Sequence, residues 1–227
     1  MIEFEHTEVM GWEAAIRGMR NPHNSWDKSD SKYLRQEDGH IIASRYEIGP
    51  NDHDLMMRLV KAGTDHRKFM RMIVVYVDVT APLYLYKELE TYKVGTVSNS
   101  CSTMHSIHKK PFNAYDFSCE DLLTSNKLPD VFRAKSPVQV LFDTIDTLNA
   151  CRKMYLETGD KTWWRQMIQL LPDSYNQRRT LMLNYEVLAN IYRARRNHKL
   201  TEWREFCHWI ESLPYSELIT GEEKLND

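Results

Sequence analysis

No run of apolar residues in this 227-residue chain approaches the roughly 20 needed to cross a bilayer. The first residues, Met1-Ile2-Glu3-Phe4-Glu5-His6, lack the basic segment and apolar core of a secretory leader, so a cytoplasmic protein is the expectation. No large charge excess exists either: 30 Lys+Arg against 32 Asp+Glu gives a net charge of -2. That excludes nucleic-acid binding through bulk charge and leaves only a local patch. Cys101, Cys119, Cys151 and Cys207 form no Cys-x-x-Cys pair, so reduced thiols are expected rather than a disulfide framework. No internal repeat, phosphate-binding P-loop, Rossmann fingerprint or zincin motif occurs.

What is present is ordinary globular composition, 42% hydrophobic and 27% charged, with length for a single domain over residues 1–227. Six Trp and twelve Tyr supply large amphipathic rings. Such rings serve aromatic cores, subunit interfaces and flat heterocyclic ligands alike.

The patterning predicts a mixed α+β fold whose C-terminal half is helix-rich. Residues 2–9 alternate as a strand, and Trp12, Ala15, Ile16 and Met19 recur at helical spacing until Asn21-Pro22. Residues 21–39 read as a long polar loop, followed by a strand to Ile48. Asn51 is expected to cap a helix carrying Leu55, Met56, Leu59 and Val60. Residues 72–79 are dense in β-branched residues and predict a central strand, apolar on both faces, with Pro82 opening a helix. Residues 93–104 read as a hydroxyl-rich loop. Ser136-Pro137 opens a long helix that stops at Gly159, and a second helix holds Trp163, Trp164 and Met167. A short strand over 179–183 then precedes helices over 184–196 and 201–213.

Helix 184–196 carries the sharpest chemical signal. Val187, Leu188 and Ile191 mark its buried face, and eleven residues at ~100° each bring Asn184 and Arg195 back toward that face. An inward arginine requires an anionic ligand, an internal ion pair or a snorkelling route, and all three readings stand. Arg178, Arg179, Arg193, Arg195, Arg196, His198 and Lys199 make up most of a cationic stretch. A phosphate-bearing small molecule, a solvated helix face or nucleic acid would each account for it. Cys101, His105 and His108 could offer three metal ligands but lack an obvious fourth, and no metal is expected.

Strand 72–79 running into Thr80-Ala81-Pro82, a helix and a hydroxyl-rich loop resembles the centre of the flavin-dependent thymidylate synthase family. So does the further series Gly63-Thr64-Asp65-His66, Leu171-Pro172, Asn184, Leu188, Arg195 and Glu202-Trp203. Where the family reads Arg-His-Arg, this chain reads Thr91-Tyr92-Lys93. The resemblance implies an α+β fold with a central antiparallel or mixed sheet flanked by helices, assembled as a homotetramer. It implies FAD as cofactor, with NADPH and methylenetetrahydrofolate as co-substrates, and a one-carbon transfer to a pyrimidine nucleotide such as deoxyuridylate. Under it, His66, Asn184, Lys93, Thr96 and His198 would meet the flavin. Ser98, Asn99, Cys101 and Ser102 would meet the nucleotide, and Arg195 would polarise the pyrimidine carbonyl as the catalytic residue. The divergent loop equally permits a non-catalytic nucleotide- or flavin-binding or assembly protein on the same fold.

Overall fold

The computed structural model describes residues 2–35, 41–124, 129 and 135–221. Four strands form an antiparallel sheet in the order β1-β4-β6-β5: β1 is Glu3–Met10, β4 Val74–Pro82, β5 Val97–Ser100 and β6 Asn176–Asn184. A separate antiparallel hairpin pairs β2 (Lys32–Arg35) with β3 (Ile41–Glu47). The expected mixed α+β class is the fold observed. The chain divides into two compact units.

The first unit comprises residues 1–3, 79–90 and 99–179. Its helices are α3 (Leu83–Leu89), the short α4 (Thr103–Ser106), α5 (Pro137–Thr158) and α6 (Lys161–Leu170). The Ser136 side chain accepts the Gln139 N–H, Pro137 fills the first turn, and Gly159 closes α5 at φ 68. These are the start and stop that the sequence predicts. Leu141, Ile145, Leu148 and Cys151 of α5 bury one face against Met167 of α6 and against Ile107, Phe112 and Phe117. Pro82 ends β4 and caps α3 instead of opening it as its first residue, because its extended ψ of 149 still belongs to the strand.

The second unit comprises residues 4–78, 91–98 and 180–227. It holds α1 (Trp12–Arg20), α2 (Pro50–Lys61), α7 (Tyr185–Arg195), α8 (Thr201–Glu211) and α9 (Glu217–Thr220). Tyr185, Leu188, Ile191, Trp203, Phe206, Met56, Met70 and Ile73 are its largest fully buried side chains. In β4, Val75, Val77 and Val79 are buried while Tyr76 is exposed. The strand is interior to the sheet as expected, but it buries one face only. The reason is the alternation of an antiparallel sheet with a solvated side.

Residues 21–39 do not form one long loop. Two 3-10 turns (Asn21–His23 and Trp26–Lys28) and strand β2 occupy 21–35; residues 36–40 lie outside the described residues. Buried Asp52 organises this segment. Its carboxylate takes the Arg20 Nε at 2.6 Å and the hydroxyls of Ser29 and Ser31 at 2.7 and 2.6 Å. Arg20 in turn donates to the Ser25 and Lys28 carbonyls. Asn51 is likewise not the cap of α2: Gly49 holds that position, and the Asp30 carboxylate accepts the N–H groups of Asn51 and Asp52 at 2.9 and 3.1 Å. A carboxylate from a distant segment satisfies the helix end in place of a local side chain.

Candidate functional site

Residues expected to face flavin and nucleotide separate into two groups, one in each unit. In the second unit, Asn184 is the N-cap of α7 rather than a residue inside it. Its Oδ1 accepts the Val187 N–H at 3.0 Å, and its Nδ2 donates to the Gly95 carbonyl at 3.3 Å. The carboxamide therefore starts the helix and holds the 93–96 turn. Its inward aim comes from the cap geometry and not from helical periodicity. Gly95 has φ +74, and a Cβ there would stand 2.7 Å from Asn184 Nδ2.

At the other end of α7, Arg195 is half-buried. Its Nε donates to the Tyr92 hydroxyl at 3.1 Å, and its guanidinium carbon lies 4.7 Å from the Trp203 ring centroid. Nη1 lies 3.0 Å from His198 Nε2, while His198 Nδ1 accepts the Leu200 N–H at 3.2 Å. Aromatic faces and an imidazole thus hold the guanidinium flat, an arrangement that keeps a planar donor fork oriented. The Thr96 hydroxyl donates to the Tyr92 carbonyl at 2.9 Å. His66, Lys93 and Ser98 are exposed. Arg67, next to His66, makes a largely buried two-point ion pair with Glu186, at 2.9 and 3.0 Å.

The first unit supplies a cavity of about 440 Å³. Residues 93–104, expected as loop, contribute β5 and α4, whose polar sequence hides a four-residue strand and one helical turn. Cys101 is fixed by two backbone bonds: its N–H donates to the Arg178 carbonyl at 3.0 Å, and its carbonyl accepts Gln177 Nε2 at 2.7 Å. The Ser102 hydroxyl accepts the His105 N–H and caps α4. Beyond Cys101 and Ser102, the cavity wall includes Lys109, Lys110, Arg178, Tyr115 and Tyr175. Lys110 meets the buried Asp116 carboxylate at 2.6 Å, a bond that raises its ammonium pKa. Burial raises the Tyr175 phenol, which stays a neutral ring and donor. Three cations, of which Lys110 is paired with the Asp116 carboxylate that also lines the hollow, together with several hydroxyls and two tyrosine rings, suit a flat ring bearing an anionic group. Asn99 is exposed on β5 and does not line this cavity.

Sequence reading found Cys101 and Ser102 but not Lys109, Lys110, Tyr115 or Tyr175. The signal was the Lys109-Lys110 pair just downstream of the hydroxyl-rich run. In the sequence Arg178 stands out only as part of a cationic stretch. That stretch is divided between the units: Arg178 and Arg179 belong to the first and Arg193, Arg195 and Arg196 to the second. Arg179 pairs with Glu90 at 3.0 Å and lies 4.0 Å over the Tyr86 ring. Among the described residues, no group of three His, Cys, Asp or Glu comes together to hold a metal ion. Cys101, Cys119, Cys151 and Cys207 are all free thiols. Among the described residues, no helix is long and apolar enough to cross a membrane.

No family model and no curated protein matches the chain. Its architecture is nonetheless that of the flavin-dependent thymidylate synthases, as the sequence resemblance implied. A thymidylate synthase X from Helicobacter pylori, solved with FAD and dUMP, superposes with a TM-score of 0.63 at 16% identity, covering 99% of both chains. A second structure of that protein gives 0.62 at 15% identity over 96% of this chain and 94% of that one. A UMP/dUMP methylase, PolB from Streptomyces cacaoi bound with 5-Br dUMP, gives 0.59 at 16% identity over 97% and 94%.

Proposed function

We propose that this chain binds a pyrimidine nucleotide such as dUMP and, with a flavin, transfers a one-carbon unit to its base. The observation that carries the proposal is the first unit's cavity, where Lys109, Lys110 and Arg178 share one hollow with Tyr115 and Tyr175. Lysine and arginine there would hold the phosphate, and a tyrosine ring would lie along the pyrimidine. These cations would stand in for the signature arginines that Thr91-Tyr92-Lys93 replaces. The solved structures of the same fold hold dUMP, FAD or a brominated dUMP, which supports a nucleotide as the ligand class.

The residues are compatible with a flavin in part. Exposed His66 and Lys93 can supply a ring contact and a cation for phosphate. Asn184, Thr96 and His198 instead have side-chain atoms engaged in internal hydrogen bonds, which makes them supports for the 92–96 turn and for Arg195. When bound, FAD would supply the hydride chemistry, with NADPH and methylenetetrahydrofolate as hydride and carbon sources. Arg195 does not line the first unit's cavity, so its contact with a pyrimidine carbonyl rests on the resemblance alone; a homo-oligomer, tetrameric by the resemblance, would be the working form.

The test is calorimetric titration of dUMP into the wild type and Arg178→Gln. Losing one charged donor corresponds to about 1.5–3 kcal/mol, so affinity should fall roughly ten- to hundred-fold. Equal affinities would remove the cavity from the proposal. The internal bonds of Asn184, Thr96 and His198 favour a second reading, a nucleotide-binding protein without turnover. Formation of dTMP from dUMP, NADPH and methylenetetrahydrofolate with added FAD decides between the two.

A further inference from the structure

A hollow of about 730 Å³ in the second unit belongs to none of the machinery above. Its wall combines the aromatic residues Trp12, Tyr46 and Tyr215 with the apolar Val9, Met10, Leu34 and Pro214, and with the carboxylates of Glu8 and Glu47. Among the described residues that line it, none is Lys or Arg. The rings are fixed. Trp12 meets Tyr215 edge-on at 5.2 Å and Tyr185 at 5.3 Å, and Tyr46 meets Tyr33 at 4.8 Å. Tyr215 is held at φ 51, a left-handed conformation rare for an aromatic residue, and its hydroxyl accepts the Ile48 N–H at 3.0 Å. Strain of this kind persists where the surroundings over-determine it, and such residues gather at ligand clamps. Burial first, with the charges of Glu13 and Asp52, pushes the Tyr46 phenol up to about 12, so it remains a neutral ring.

We propose that this hollow binds an organic cation, a quaternary or protonated amine carried on an apolar body. Ring faces attract a cation through their quadrupole, and the apolar wall buries its alkyl groups. Glu8 and Glu47 add charge complementarity at the exposed rim, where a carboxylate alone would bind weakly. The exposed Lys32 stands 4.0 Å from Glu47, a long contact that an incoming cation can replace. An anion would meet two carboxylates here and no compensating charge among the described lining residues. The site is therefore chemically opposite to the nucleotide cavity.

Choline and its uncharged carbon analogue 3,3-dimethylbutan-1-ol, titrated into the full chain by calorimetry, test the assignment. Choline should bind about ten-fold or more tightly than the alcohol, and added salt should weaken it. Glu8→Gln and Glu47→Gln should each lower choline affinity several-fold, and Tyr46→Leu should lower it further, with far-UV circular dichroism and dUMP binding unchanged. Equal binding of choline and the alcohol would overturn the proposal, leaving an unselective apolar hollow. So would an absence of choline binding at about 50 mM, or sedimentation as a dimer that Met10→Asp dissociates, which would assign the hollow to a second copy of the chain. The Glu47→Gln result stands even if Tyr46→Leu fails to fold.

Discussion

Asp52 illustrates how one buried charge organises a segment that composition alone presents as irregular. It is fully buried, its partner Arg20 is 4% exposed, and the two meet at 2.6 Å. Burial by itself would raise the Asp52 pKa, but hydrogen bonds from Ser31, Ser29 and Arg20 outweigh it and leave the carboxyl below its ordinary value. A depressed folded-state pKa contributes stability above the unfolded value, lost as pH falls through the folded one. Stability should therefore be level near neutrality and decline below about pH 4, the ordinary range for an aspartate. Asp52→Asn strands a buried guanidinium and should destabilise the fold by roughly 3–5 kcal/mol in urea denaturation at pH 7. The acid-side decline should flatten in the variant. A loss below about 1 kcal/mol would mean that the hydroxyls and backbone groups hold the segment without the charge. Arg195 is a different case, because its partners include Tyr92, His198 and the Trp203 ring. With Arg195 on the pyrimidine, as the family resemblance implies, Arg195→Ala should weaken dUMP binding about ten-fold or more while retaining the native circular dichroism spectrum. Unchanged affinity would reduce Arg195 to a structural residue.

Among the elements, those with strong local rules were legible. Helix α5 carries a serine cap, a first-turn proline and a left-handed glycine stop, and its ends agree with that grammar. Helix α7 was legible through Val187, Leu188 and Ile191, all buried. Strand β5 was not: Val97-Ser-Asn-Ser100 is four exposed residues at the sheet edge, and pairing, not propensity, makes it a strand. Helix α2 hid its start because Asp30, some twenty residues away, supplies the carboxylate at its N-terminus. The first unit's cavity was half legible for the same reason. Cys101 and Ser102 sit beside Lys109, Lys110, Tyr115 and Arg178 only through folding that no short spacing encodes. At this scale the 92–96 turn is the sensitive element, pinned by Asn184 on one side and by the Thr96 hydroxyl on the other. Gly95→Ala adds a Cβ at φ +74 and 2.7 Å from Asn184 Nδ2. It should lower stability by about 1–2 kcal/mol. It should also weaken flavin uptake at Lys93 more than dUMP binding in the other unit. Equal losses of both ligands would indicate general unfolding instead of a displaced turn.

For the whole molecule, the fold is shared with thymidylate synthase X and PolB structures at only 15–16% identity. Fold alone does not carry function, and the proposal therefore stands or falls on ligand linkage. A ligand that binds only the native state stabilises it by about 2.7 kcal/mol when present at a hundred times its dissociation constant. For a chain of roughly 150–250 residues, each kcal/mol moves the melting temperature by about 2–4 °C. Saturating dUMP should then raise the calorimetric transition by roughly 5–11 °C in the wild type. Arg178→Gln, held at the same dUMP concentration, should lose about half to five-sixths of that rise, because a ten- to hundred-fold weaker affinity leaves only about 1.4 to 0.4 kcal/mol of ligand stabilisation. Uridine, which has the base but no phosphate, should give a small shift in both proteins. If uridine stabilises the wild type as strongly as dUMP, the cations of the cavity are not phosphate ligands, and the aromatic wall alone accounts for binding. If dUMP gives no shift at all, the nucleotide role is lost and the shared fold serves another ligand.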